Sequence, residues 1–188
     1  RTFSHHDEKS ESGYYKVLFR DNQTKVEMTS SERVGMFRIS YPANIKPMLF
    51  LGDAGNLEVV SKRKIKASER NTLILFNQDF TEFEKVKDGC ILTFSSSVEV
   101  NELIVKVATS SVNYENTALN IKTEAVGWNF DQYRKRNQQK WVNALSTIEV
   151  EDTSEVNKTI FYTALYHSLL IPWIISDVDG SYRGADKL

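Results

Sequence analysis

The chain contains a single cysteine, Cys90. No internal disulfide can form, and no CxxC or Cys/His metal spacing exists. Long apolar runs are missing as well: nothing approaches the roughly 18 residues that a membrane span needs. Neither sign of charge predominates, since 24 Lys and Arg stand against 25 Asp and Glu, a formal net charge of -1. A phosphate-binding face usually needs a basic excess, so the balance argues against nucleic acid as the main partner. There is no nucleophile elbow, phosphate loop, zinc motif or dinucleotide fingerprint. Internal repeats and low-complexity segments are absent too. The chain opens at "RTFSHHDEKSES" with no initiator Met, signal pattern or cleavage site, and closes at "GADKL" straight after a loop. Both ends read as cuts, so a fragment is expected.

What is present suffices for one ordinary domain, or one domain and part of another: 188 residues with 40% hydrophobic content. Two textures divide it. From about 14 to 112 the sequence reads as strands: "YYKVLF", "KVEMTS", "GMFRISY", "PMLFLGD", "NLEVVSKRKIKAS", "NTLILFN", "CILTFSSSVEV" and "ELIVKVATS". These runs are rich in Val, Ile, Phe, Tyr and Thr, and several alternate at period two. Turn material separates them at Asp21 and Asn22, Gly52 and Asp53, and Asp88 and Gly89. With no long helices between the strands, the pattern predicts an antiparallel β-sandwich rather than a doubly wound parallel sheet.

After about Asn113 the period changes. Phe130, Tyr133, Asn137, Trp141, Ala144 and Leu145 fall at helical spacing. Asn129 is placed to cap that helix, with Gln132 closing a capping box. Arg134, Lys135, Arg136 and Lys140 make its polar side, most simply a solvated face. Asp152 and Glu155 form a second capping pattern before Val156, Ile160, Ala164, Leu165, His167, Ser168 and Ile171. Apolar residues cover most of this second helix, which predicts burial among other helices. About sixty residues cannot enclose it, so its packing partners are expected outside the chain. Helices are thus predicted over 129–145 and 153–171, the latter stopped by Pro172.

Three polar constellations stand out, each with a plainer alternative. "FSHHDE" (3–8) sets two histidines beside two carboxylates, which suits a metal, a titrating pair or a polar ligand. Adjacent residues of an extended chain point apart, so His5 and His6 are not expected to share one ion; the plain reading is a hydrophilic leader. "SDVDGSYRGAD" (177–186 with Ser176) carries Asp177, Asp179 and Asp186 on a glycine-containing loop. It is a poor calcium loop, because Ser181 and Leu188 do not supply the remaining EF-hand ligands. A sugar site is an equal candidate, since carboxylates accept from vicinal hydroxyls while Tyr182 and Arg183 can donate. The plain reading is a surface turn. Tyr166 and His167 on the second helix read most simply as packed residues. Asn22 and Asn157 match the glycosylation tripeptide, which is common by chance.

Four passages together carry a resemblance: "FSHHDEKSESGYYKVLF", "SSERVGMFRISYP", "VKVATSSVNYENTALNI" and, most specific, "KTIFYTALYHSLLIPWIISDVDGSYRG". The chain resembles glycoside hydrolase family 92, the calcium-dependent α-mannosidases, over essentially its whole length. Ser12 stands where relatives often have Pro, and "IPWIISD" departs at Trp173 from their usual Pro-Asn run. The resemblance implies an N-terminal β-sandwich, a helical linker and a C-terminal (α/α)6 barrel, with the active site between sandwich and barrel. Residues 1–112 would be the later sandwich, 113–150 the linker and 151–188 the start of the barrel.

The activity implied is inverting, calcium-assisted hydrolysis of α-mannosidic bonds in mannose-containing glycans. His5, Asp177, Asp179 and Arg183 are the expected substrate contacts. No residue of the chain matches the catalytic acid, the base or a calcium ligand, so these are expected in later barrel segments. The fragment alone is expected to be inactive. Expected partners are the mannose-containing glycan and the rest of the barrel, in an extracytoplasmic setting, with no nucleic acid and no membrane span. Two other readings compete: a non-catalytic carbohydrate-binding sandwich, and a structural or adhesion sandwich in which "SDVDG" is an ordinary turn.

Overall fold

The structure is a computed structural model and describes residues 2–43, 45–52, 56–95, 101–171 and 173–185. Eleven strands form two wholly antiparallel sheets among these residues. The larger sheet runs β1 (Glu8–Glu11), β2 (Tyr14–Leu18), β3 (Lys25–Ser30), β4 (Val34–Ser40), then β11 (Glu102–Ala108), β8 (Thr72–Phe76), β7 (Lys64–Ala67) and β6 (Leu57–Ser61). The smaller places β10 (Gly89–Phe94) between β5 (Met48–Gly52) and β9 (Phe80–Val86). The expected antiparallel sandwich is therefore the observed fold.

Period-two alternation explains the layering. On β11, Leu103 and Val105 point to a core shared with Phe76, Phe80, Cys90, Leu92 and Phe94, which joins the two sheets. Ile104 and Ala108 point the other way, into a second core with Val34, Met36, Leu73, Ile121, Phe130 and Tyr133. This second core is closed by helices, so the molecule has three layers: small sheet, large sheet, helices. A strand buried on both faces reads as a nearly continuous apolar run, as "ELIVKVA" does. Gly89 is fixed by a close approach, because a Cβ there would lie 2.0 Å from the Leu51 carbonyl oxygen.

Among the described residues three α-helices follow: α1 (Tyr114–Glu124), α2 (Phe130–Leu145) and α3 (Glu155–Leu169). Helix α2 begins as the sequence suggests, with the Asn129 side chain accepting from the Gln132 N–H. Its Phe130, Tyr133 and Asn137 are buried against the large sheet. On that sheet face Glu27 lies opposite Arg38. Arg38 donates twice to Glu27, at 2.8 and 2.9 Å, and once to Asp131 of α2 at 2.9 Å. Burial alone would raise the Glu27 carboxyl, but hydrogen bonds from Arg38, Tyr14 and Lys25 outweigh it and hold it down at about 2. Burial, then Glu27, pushes the Tyr14 phenol up to about 12.

Several expectations need correction. The cap of α3 is Ser154, accepting from the Asn157 N–H, and not Asp152. Asp152 instead accepts from the Ser154 N–H at 2.6 Å and the Asn157 side chain at 2.9 Å. The basic face of α2 is not simply solvated. Arg134 lies over the Tyr14 ring at 3.5 Å and donates to Glu11, and Lys140 pairs with Glu32. Helix α3, whose packing partners are expected outside the chain, has no buried residue: Tyr166 rests on Trp141 with ring centroids 4.6 Å apart, while Val156 and Ile160 are exposed. His167, read from the sequence as a packed residue, is exposed. Helix α1 lies inside the region expected to be helical but was not itself anticipated. The expected stop at Pro172, the turn residue Asp53, the tail of "CILTFSSSVEV" and Asp186 lie outside the described residues.

Candidate functional site

The loop after α3 is built on α1. Asn113 caps α1, accepting from the Asn116 N–H at 2.7 Å. At the other end, two of the helix's last carbonyls, which lack partners inside the helix, are taken by side chains. The Tyr133 hydroxyl donates to the Glu124 carbonyl at 2.7 Å, and the Lys106 ammonium donates to the Ala125 carbonyl at 2.7 Å. Lys106 also lies 4.0 Å from the centroid of the Trp128 ring, and burial pushes its ammonium down to about 8. Thr117, Asn120 and Ile121 are the buried face of α1.

Onto this helix the 177–183 loop folds back. A tight turn forms where the Gly180 N–H donates to the Asp177 carbonyl at 3.0 Å and the Asp177 N–H donates to the Ser181 carbonyl at 2.7 Å. Gly180 takes φ +86°, a backbone region open chiefly to glycine. Asp177 is 5% exposed. One of its carboxylate oxygens accepts from the Ser110 hydroxyl and the other from the Asn120 amide, both at 2.6 Å. Asp179 is exposed and accepts from the Asn116 amide at 3.0 and 3.2 Å and from the Ser181 N–H at 2.9 Å. The Ser181 N–H, and with it the Asn116 amide, holds the Asp179 carboxyl below the usual carboxylate range. A carboxylate held ionised in this way can accept from hydroxyls and is a poor proton donor. The side chains of Tyr182 and Arg183 are exposed beside it.

His5 lies elsewhere. It sits in a short 3-10 turn, His5–Asp7, leading into β1, with its ring nitrogen 2.5 Å from Glu8, which also accepts from the Tyr15 hydroxyl. The His5 side chain is 92% exposed. Sheet order separates β1 from β11, on which α1 rests, by four strand steps. At roughly 4.8 Å per step that is about 19 Å. The structure thus brings Asp177, Asp179 and Arg183 onto one loop and leaves His5 at the β1 edge of the sheet. Ser110, Asn116 and Asn120 escaped the sequence reading, although the last two stand four apart, one turn of a helix.

Among the described residues no three His, Cys, Asp or Glu side chains converge to hold a metal ion. Both Asp177 carboxylate oxygens are engaged within the protein, by Ser110 and Asn120. A separate groove of ≈ 570 Å³ runs between α3 and the β1–β2 turn, with Glu11, Lys158, Tyr162, Tyr166 and His167 in its walls. Among the described residues no helix is long and apolar enough to cross a membrane.

The chain is thus an antiparallel sandwich that runs on into helices, with a polar loop folded back on the junction. Residues 1–75 match the N-terminal domain of glycosyl hydrolase family 92 and residues 116–188 match that family's catalytic domain. The chain belongs to glycoside hydrolase family 92. It is similar to a family GH92 α-mannosidase of Bacteroides thetaiotaomicron, at 25% identity and a TM-score of 0.82 over 99% of this chain and 30% of that one. The same relative is also known in complex with mannoimidazole. The GH92 glycosyl hydrolase ccman5 matches at 21% identity and a TM-score of 0.82, over 98% of this chain and 31% of that one. An inverting GH92 mannosidase of Bacteroides thetaiotaomicron VPI-5482 matches at 19% identity and a TM-score of 0.83, over 97% and 29%. No curated protein matches the chain. The chain thus spans about 30% of the length of the solved relatives it matches. Its sheets and helices match the family's N-terminal sandwich and the start of its helical barrel.

Proposed function

We propose that these residues are part of an α-mannosidase that hydrolyses α-mannosidic bonds with inversion. The observation carrying this is the match of 99% of the chain, at 25% identity, to an α-mannosidase. Residues 1–112 are the later sandwich, 113–150 the helical linker and 151–188 the start of the barrel. The rest of the (α/α)6 barrel would cover the apolar residues of α3, among them Val156 and Ile160, and those of the segment after it, Trp173, Ile174 and Ile175, all exposed here.

In this reading the loop binds and orients the sugar. The Asp179 carboxylate accepts from vicinal hydroxyls, and Arg183 and Tyr182 donate to ring or glycosidic oxygens. Asp177 contributes by fixing the loop. His5, held by Glu8, is a contact from the sandwich side; at about 19 Å of strand spacing from α1 it meets a different sugar unit from the one held by Asp179. Inversion needs an acid and a base roughly 6.5–9.5 Å apart, with a water between base and sugar. No such pair is assigned within residues 1–188. Calcium ligands likewise belong to the remainder of the protein, and no step is routed through the ion here.

The test is turnover of an aryl α-mannoside by the whole protein and by residues 1–188 alone. The whole protein should hydrolyse it and the isolated stretch should match a boiled control. A whole protein that binds mannosides without turnover would replace this reading with a carbohydrate-binding sandwich.

A further inference from the structure

The substrate loop follows α3 in sequence, yet its hydrogen bonds to the rest of the chain go to α1 and to the connections at the ends of β3 and β11. Arg33, in the β3–β4 turn, donates to the Ser176 carbonyl at 2.7 Å and pairs with Glu124 at the end of α1. Ser110, just after β11, donates to Asp177. Asn120 donates its amide N–H to Asp177 and accepts the Val178 N–H at 2.9 Å. Asn116 donates to Asp179, and the Arg183 N–H donates to the Ser111 hydroxyl at 3.3 Å. Asn120 is fully buried. Its orientation is fixed, because the Val178 N–H can only donate and must meet the amide oxygen, so the NH2 faces the carboxylate.

Ser110 is itself held from behind. Its N–H donates to the Arg70 carbonyl and its carbonyl accepts from the Asn71 side chain. Arg70 and Asn71 sit at φ 52° and 46°, an uncommon pair of left-handed non-glycine residues. Thr117 of α1 donates to the Asn71 carbonyl at 2.7 Å. One strained turn therefore anchors both the Ser110 arm and the α1 arm, which meet at a single buried carboxylate.

We propose that Asn120, with Ser110, is a positioning residue for hydrolysis: through Asp177 it locks the barrel's substrate loop to α1 and the end of the large sheet, so these elements set where Asp179 and Arg183 stand. This rests on the α-mannosidase reading. It assigns Asp177 an accepting role inside the protein and predicts that the roles can be exchanged. Asn120→Asp alone sets two carboxylates at the present 2.6 Å contact. Combined with Asp177→Asn, the same geometry is satisfied in mirror form. The new amide at 177 donates to the carboxylate at 120 and accepts from Ser110, and the carboxylate at 120 still accepts from the Val178 N–H.

The experiment uses the whole protein with Asn120→Asp, Asn120→Asp/Asp177→Asn and Ser110→Ala. It measures kcat/KM on an aryl α-mannoside, thermal melts, and the rate of tryptic cleavage after the exposed Arg183. Asn120→Asp should lower kcat/KM by roughly tenfold or more and speed cleavage, and the double variant should recover both to within about threefold of the parent. Ser110→Ala should show a smaller loss of the same kind, and carries the test with the double variant if Asn120→Asp does not fold. A single variant within twofold of the parent in both readouts, or a double variant no better than the single, overturns the proposal. If the parent itself has no mannosidase activity, the functional reading fails and the lock is judged on cleavage alone, with the same two outcomes.

Discussion

Replacing Asp179 by Asn removes a charge from an exposed loop tip and leaves the loop's anchors at Ser176, Asp177 and Val178 in place. Its carboxylate offers about four acceptor positions. Three contacts use them, two from the Asn116 amide and one from the Ser181 N–H, so capacity remains on the solvent side for a sugar hydroxyl. The Asn side chain keeps one acceptor oxygen for Ser181 but presents an NH2 where the carboxylate had accepted. A hydrogen bond from a substrate hydroxyl to a charged acceptor is among the stronger kinds, and losing one in a closed site lowers kcat/KM by roughly ten- to a hundredfold. The cost to folding is small, because the residue is exposed and the turn is still closed by the backbone bonds of Asp177 and Gly180. Steady-state kinetics and thermal melts on the whole protein separate the two effects. The expected result is a large fall in kcat/KM with little change in Tm. Near-native kcat/KM would refute the substrate role of Asp179, and a fall in Tm with unchanged kinetics would make the loop an ordinary turn.

Glu27 gives a prediction in pH. Its folded value of about 2 lies below the ordinary 4.5, so its contribution of about 3 kcal/mol is fully present above pH 4.5 and is lost as pH falls toward 2. The stability difference between parent and Glu27→Gln should be constant above about pH 5 and shrink below it; a difference that stays constant down to pH 2 contradicts the buried charge. Gly89→Ala should destabilise by about 2–4 kcal/mol, since its Cβ would meet the Leu51 carbonyl at 2.0 Å and break the β5–β10 pairing; a melt within a degree of the parent would show that the strand shifts freely.

The sheets were legible because both of their signals are local. Period-two alternation marked the strands, and paired turn residues such as Asp88 and Gly89 marked their ends. Helix α2 was legible from Phe130, Tyr133, Asn137 and Trp141, with Asn129 at its cap. Helix α1 was not, because its buried face is Thr117, Asn120 and Ile121. A polar face turned inward carries no apolar period, and its partner Asp177 is 57 residues away. The 177–183 loop was picked out by its carboxylates and glycine, but which carboxylate is buried depends on Ser110 and Asn120, whose role only the fold discloses. Helix α3 shows the reverse case. Its all-round apolar sequence signalled burial, and the surfaces that would bury it are not among these residues.

Whether the chain is part of an inverting α-mannosidase is read most directly from the anomeric form of the first product. Proton NMR of the whole protein acting on an aryl α-mannoside should show β-mannose first, with the α-anomer growing in only by mutarotation. An α-anomer formed first would contradict inversion, and no mannose at all would contradict the enzyme.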